Sequence, residues 1–260
     1  MLNKILKIIF LFIIFLYHST VFSKSTVDSK FNQRYLSNYF SALISYDNKD
    51  NELALKYFNS TKSILKDHPK FFDKYIDSLV LNNKVQEAIK QIKIFNTINK
   101  KNNFHQNLLL ILDEFKNNDF NKVGDQLLDM EKNLMSNSYE QIIYEILKSY
   151  NQLFKEKKIS EIKNYGKLTK IILAFQNCYL GEDRANNYLL ELINSENGDY
   201  SRYLFFYLSN LINKNEYEVA EQVSLELDPI NSTMLIIQAK NWLDQSKLNN
   251  FSEIFSCNSE

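Results

Sequence analysis

The chain has 260 residues, with 31 basic and 31 acidic side chains and a formal charge of +0, which excludes the electrostatic footprint of a nucleic-acid binder. Only 4 Gly and 2 Pro occur, so the turn residues on which an all-β fold depends are nearly missing. With 45 % hydrophobic and 14 % aromatic residues there is ample material for a core, which excludes disorder and points to an all-α chain.

Residues 1–23 read as a signal peptide. Lys4 and Lys7 give a basic start, Ile8 to Tyr17 is an unbroken apolar run, and polar His18, Ser19 and Thr20 follow. Val21 and Ser23 supply the small residues that a signal peptidase accepts before a cut at Lys24. The alternative is an uncleaved inner-membrane anchor over residues 5–22, although a full span takes ~20 apolar residues. The 33 Asn, with frequent Lys and Ile, suit an AT-biased bacterial genome, and the expected location is then the periplasm. Residues 24–181 hold 24 Lys/Arg and 18 Asp/Glu, whereas 182–260 hold 5 and 13. In a helical chain this asymmetry reads as solvated faces.

The mature part, 24–260, reads as one helical repeat domain. The first helix is expected near Tyr35 to Tyr46, where Leu36, Tyr39, Phe40, Leu43 and Tyr46 share one face. A second follows with Leu53, Ala54, Tyr57 and Phe58, and His68-Pro69 ends it. The segments Asn83 to Ala88, Asp119 to Val123, Asn215 to Ala220 and Asn249 to Ile254 each place a polar turn before an apolar residue and a small apolar one. Weaker copies start at Asn51 and Gly181. The anchors are Ala54, Ala88, Val123, Ala185, Ala220 and Ile254, mostly 34 or 35 residues apart. The one long gap holds a possible degenerate copy at Ile159 to Ile162. Further helices are expected over Phe104 to Lys116, Val123 to Leu134, Tyr139 to Phe154, Leu168 to Leu180 and Tyr203 to Ile212, with a loop at Ser195 to Asp199. The last helix, from Phe251, runs to Glu260 without a polar capping helix, so a longer native chain, or pairing through this end, is expected.

These residues resemble the tetratricopeptide repeat, whose pattern is Trp-x2-Leu-Gly-x2-Tyr, Ala-x3-Phe and then Pro. Ala54-x3-Phe58 fits the second part, and Tyr39-x2-Ala42-Leu43-x2-Tyr46 is similar to the first with its Gly replaced. Tyr46 stands eight rather than nine residues before Ala54, and the prolines are displaced to Pro69 and Pro229. The resemblance covers most of 31–257 in degenerate form. It implies an α-solenoid of antiparallel helix pairs in a right-handed superhelix, and a partner protein or peptide lying on the concave surface. The family's groove positions, carried over by register, fall on Asp73, Asp77, His105, Asn177, Arg202 and Asn213. Arg202 is one of three arginines, and its planar fork suits a carboxylate or a peptide carbonyl.

In such an array Cys178 and Cys257 lie two repeats apart, too far for the ~7 Å Cα separation that a disulfide tolerates. They are therefore expected as free thiols. Catalytic chemistry is not found. Outside the signal segment only His68 and His105 remain, neither at metal-ligand spacing, and four scattered glycines make no phosphate-cradling loop. Neighbouring carboxylates such as Asp113-Glu114 point about 100° apart on a helix and read as solvated surface. The lysines at 155, 157, 158, 163, 167 and 170 are diluted by Glu156 and Glu161 and read the same way. The stripe Tyr200, Tyr203, Tyr207 reads as packing. The expectation is a non-enzymatic scaffold or adaptor of the cell envelope that takes no cofactor, no metal and no nucleic acid. It meets the membrane only through an uncleaved N-terminal segment. The alternative is the helical regulatory half of an envelope enzyme whose catalytic part lies beyond residue 260.

Overall fold

The structure, a computed structural model, describes residues 33–62, 68–97, 102–134, 138–195, 202–226 and 234–257. Over these residues it is all-helical, without strands. The helices are α1 (Gln33–Asp47), α2 (Asn51–Ser60), α3 (Pro69–Leu81), α4 (Val85–Asn96), α5 (Phe104–Lys116), α6 (Phe120–Glu131) and α7 (Tyr139–Glu156). Then follow α8 (Lys167–Leu180), α9 (Arg184–Ile193), α10 (Arg202–Asn213), α11 (Tyr217–Glu226), α12 (Met234–Asp244) and α13 (Asn249–Ile254). The signal-peptide reading, Tyr200 and Pro229 lie outside the described residues. The chain divides into two compact units, one up to Ile98 and one from Asn99.

One turn is used six times. A residue in the left-handed region stands at Lys49, Asn83, Asn118, Gly181, Asn215 and Ser246. In each case the next amide bonds back to the carbonyl five residues earlier: Asp50 to Ser45, Lys84 to Leu79, Asp119 to Glu114, Glu182 to Asn177, Glu216 to Leu211 and Lys247 to Trp242, at 2.8–3.0 Å. That six-to-one bond closes a Schellman motif, which satisfies the last carbonyls of one helix and aims the chain into the next. Asp50 and Asp119 then cap the following helix by accepting from Leu53 N and Lys122 N. Asn tolerates a positive φ, whereas Lys49, at φ 64°, stores about 1 kcal/mol of strain. Lys49→Gly is therefore expected to raise the urea midpoint of the first unit by the equivalent of somewhat under 1 kcal/mol, part of the gain being lost to the freer unfolded chain. Asn83→Gly should do less, and a lower midpoint for Lys49→Gly would contradict the turn as described.

Beyond each turn the first inward residue is a fully buried Ala54, Ala88, Val123, Ala185 or Ala220, where a short side chain allows the paired helices to approach. The last anchor differs from the sequence reading. Ile254 is 62 % exposed, whereas Phe251, five residues past Ser246, is 0 % exposed. The final turn comes 31 residues after its predecessor, not 34, and a bulky ring fills the anchor position. The degenerate copy expected at Ile159 to Ile162 is also absent: residues 157–166 form no helix. Lys157 ends α7 at φ 52°, and Asn164 Oδ1 accepts from Gly166 N. Thr169 Oγ1 accepts from Tyr165 N and donates to Lys163 O. Side chains thus take the backbone bonds that a helix would use.

In the first unit α1 pairs with α2 and α3 with α4, around buried Phe58, Phe71, Phe72 and Tyr75. Phe58 meets Phe71 edge-on at 5.0 Å, and Phe72 stacks on Phe95 at 4.0 Å, geometries in which ring quadrupoles attract. In the second unit α7 packs on α6 through a cluster of Ile111, Val123, Leu127, Met130 and Tyr144. The larger cluster joins α8 to α13 around α10. There the cysteine expectation fails: Cys178 and Cys257 form a disulfide, with Cα atoms 5.6 Å apart. The uniform stack assumed for the sequence would carry α13 away from α8. Instead α13 packs on α10, and Phe255 stacks on Phe205 and meets Phe206, which meets Phe175 of α8.

Candidate functional site

The six polar positions are divided between the two units, two in the first and four in the second. In the first unit Asp73 and Asp77 stand one turn apart on α3, both half-buried. Asp77 accepts from Tyr46 Oη at 3.3 Å, and burial followed by the Asp77 charge raises the Tyr46 hydroxyl above its ordinary pKa of 10.0. Lys74 lies 4.4 Å above the Tyr46 ring and 3.4 Å from Asp47. This strip joins α1 to α3 and already uses part of its own polar capacity.

In the second unit His105 is exposed near the start of α5 and edge-on to Phe104. Asn177 is not available to a partner, contrary to its groove assignment. It is 5 % exposed, its Nδ2 donates to Leu173 O at 2.7 Å, and its own carbonyl takes the six-to-one bond. The register is at fault, because Asn177 sits buried in the last turn of α8, with its amide bonded back to α8 itself. Arg202 is exposed at the start of α10, with its guanidinium 5.1 Å over the Tyr203 ring and Nη2 3.3 Å from that hydroxyl. Asn213 is exposed at the other end of α10 and accepts from Ser252 Oγ at 3.0 Å. Tyr203 and Tyr207 are buried in the α10 cluster, as a packing role requires.

Sequence reasoning missed three polar ties between helices, of which the first is buried and the other two part-buried. Gln176 Nε2 donates to Ser149 Oγ at 2.9 Å, Asn210 Nδ2 to Asn186 Oδ1 at 2.7 Å, and Asn82 Nδ2 to Asn51 O at 2.8 Å. For Gln176 and Asn210 the signal was a polar residue inside an otherwise apolar stripe, whereas Asn82 stands in the polar turn after α3. The lysine-rich stretch is engaged as well. Lys170 pairs with Glu191, Lys157 donates to Tyr179, and Lys163 lies over Tyr165.

Residues 157–166 are tied back to α7 at Tyr165, whose Oη donates to Glu145 Oε2 at 2.5 Å. That bond holds the Glu145 carboxyl below its ordinary 4.5 and pushes the Tyr165 hydroxyl up to about 12. The two shifts set a window. The depressed Glu145 contributes stability that is present above pH 4.5 and lost as pH falls through its folded value. The raised Tyr165 contributes stability that is present below pH 10 and lost as pH rises towards 12. Hydrogen exchange across 157–166 should therefore quicken below pH 4.5, after correction for intrinsic rates. Tyr165→Phe should remove that acid-side response while leaving α7 protected.

Among the described residues no group of His, Cys, Asp and Glu could hold a metal ion, and no helix is long and apolar enough to cross a membrane. The chain matches no protein-family model, no curated protein and no solved structure.

Proposed function

We propose that this chain is a non-catalytic, tetratricopeptide-like scaffold of the bacterial cell envelope. Its helix pairs stack as an α-solenoid and bind a partner protein or peptide along the first helix of each pair. The recurring turn carries this reading: a left-handed residue, a six-to-one bond and a buried anchor, repeated at six places. Pairs built on one rule, each too small to bury its faces alone, stabilise one another by stacking, and stacking generates an extended binding surface. Export is supported by the Cys178–Cys257 bond, since disulfides persist in oxidising compartments such as the periplasm. It is supported independently by the basic, apolar and polar order of residues 1–23.

The test is affinity capture with the tagged full chain from envelope fractions of the host, under mild crosslinking, beside a His105→Ala, Arg202→Ala double variant. These two side chains are exposed, so their loss leaves the cores intact. A stoichiometric envelope protein, with recovery at least about fivefold lower in the variant, is the expected result. Equal recovery would sink the assignment of the binding face, and no enriched protein would sink the scaffold reading.

A further inference from the structure

α10 is covered on every side. Of residues 203–212 only Phe206 is not buried, whereas α5 leaves His105, Leu112 and Lys116 exposed and α8 leaves Leu168 and Lys170. The additional cover is α13 and the three residues after it. α13 is joined to α12 by a short turn but packs chiefly on α10. It is held there by two rings one helical turn apart. Phe251 lies 6.0 Å from Phe205 and 5.2 Å from Trp242, and Phe255 lies 4.6 Å from Phe205 and 5.3 Å from Phe206. A polar bond, Ser252 to Asn213, is added, and Cys257 is bonded to Cys178 at the end of α8. A helix of 6 residues is far too short to persist by itself. Its order depends on the face beneath it and on the covalent bond.

We propose that the α8–α10 face is a helix-binding site whose present occupant is the chain's own segment 249–257, retained by a reducible disulfide. When vacated, the face takes a partner helix bearing two aromatic side chains four residues apart. This rests on the scaffold reading and names the face and the ligand chemistry. The occupant shows the mode of recognition: an amphipathic helix laid in a groove, anchored at i and i+4, with Phe205, Phe206 and Trp242 receiving the rings. The disulfide makes occupancy conditional. Cys178 is 5 % exposed and Cys257 is half-buried, so Cys257 is the more accessible of the two residues. A reducing dithiol attacks Sγ of Cys257, and the Cys178 sulfur leaves as a thiolate and takes up a proton. The second thiol of the reductant then resolves the mixed disulfide and frees the Cys257 thiol. Two electrons and two protons pass to the protein, and the reductant departs as its own disulfide.

The test uses the full chain. Cys257→Ser removes the bond and keeps both phenylalanines. It should leave 249–257 at least about tenfold less protected from hydrogen exchange than α9 and α11, and open Cys178 to alkylation while the second unit remains folded. Unchanged exchange across 249–257, or exchange there no faster than across α8 to α12, overturns the proposal. A second full-length variant, Phe255→Ala with Cys257→Ser, is offered a synthetic peptide of residues 248–257 carrying an activated disulfide on its cysteine. Cys178 should capture it about tenfold faster than a peptide with both phenylalanines replaced by alanine, because docking concentrates the reacting sulfurs. Equal rates, or no capture of either peptide, overturn the assignment of the face. Selective capture with no envelope partner found would leave this site standing and remove the scaffold reading. A partner found without selective capture would do the opposite.

Discussion

Reduction of the Cys178–Cys257 disulfide is expected to lower the unfolding free energy of the second unit by about 4 kcal/mol, an amount set by the entropy of the long loop that the bond closes in the unfolded chain. The two cysteines are 79 residues apart in sequence. The bonded unfolded ensemble therefore loses many conformations that the reduced one regains. The loss should appear as a lower urea midpoint for the reduced, alkylated chain and a fall in Tm on the order of 10 °C. The first unit contains neither cysteine, and its own transition should not move. Cys257→Ser must reproduce the effect, since it removes the bond and places its hydroxyl at a half-buried position. A change below about 1 kcal/mol would mean that the reduced unfolded chain is already compact around this region.

The same bond marks where sequence reasoning stopped. Scarcity of Gly and Pro and the spacing of apolar residues led directly to an all-helical chain. α5 even has the expected bounds, because Asn103 and Gln106 form a capping box at its start and Asn117 and Asn118 a polar stop at its end. The anchors Ala54, Ala88, Val123, Ala185 and Ala220 were readable because each is a small residue at a fixed distance beyond a polar turn. The disulfide was not, because its exclusion assumed that every pair repeats the displacement of the one before. α13 departs from that displacement, and Phe251, not Ile254, is the residue that turns inward. Local patterns carry the period but not the long-range choice of which face a terminal helix covers. Ile159 and Ile162 had the right spacing for a helix, yet Asn164, Gly166 and Thr169 divert the backbone bonds. Among the candidate site residues, Asn177 proved to be buried, and register alone cannot separate a groove-facing position from a buried one in the last turn of a helix. Asp77, Arg202 and Asn213 proved to be tied to Tyr46, Tyr203 and Ser252, links between side chains 31, 1 and 39 residues apart that no spacing rule encodes.

Phe205→Ala is expected to cost about 4 kcal/mol, the range measured when a large buried ring is removed and the surroundings relax only partly. Phe205 is 2 % exposed and stands where three helices meet, with its ring against Trp242 of α12, Phe251 of α13 and Phe255 just beyond. Its removal deletes three aromatic contacts and leaves a cavity walled by rigid rings that cannot collapse inward without losing their own edge contacts. Phe206 beside it is half-buried, so Phe206→Ala should cost appreciably less, because solvent already reaches part of its site. The pair of variants separates local release from global loss. With the disulfide intact, Phe205→Ala should lower the urea midpoint of the second unit strongly. It should also raise hydrogen exchange across 249–257 more than across α5 and α6, whose cluster contains none of these rings. Equal costs for the two variants would show that the ring contacts at Phe205 contribute little beyond ordinary burial. The aromatic junction would then not be what fixes α13 on α10.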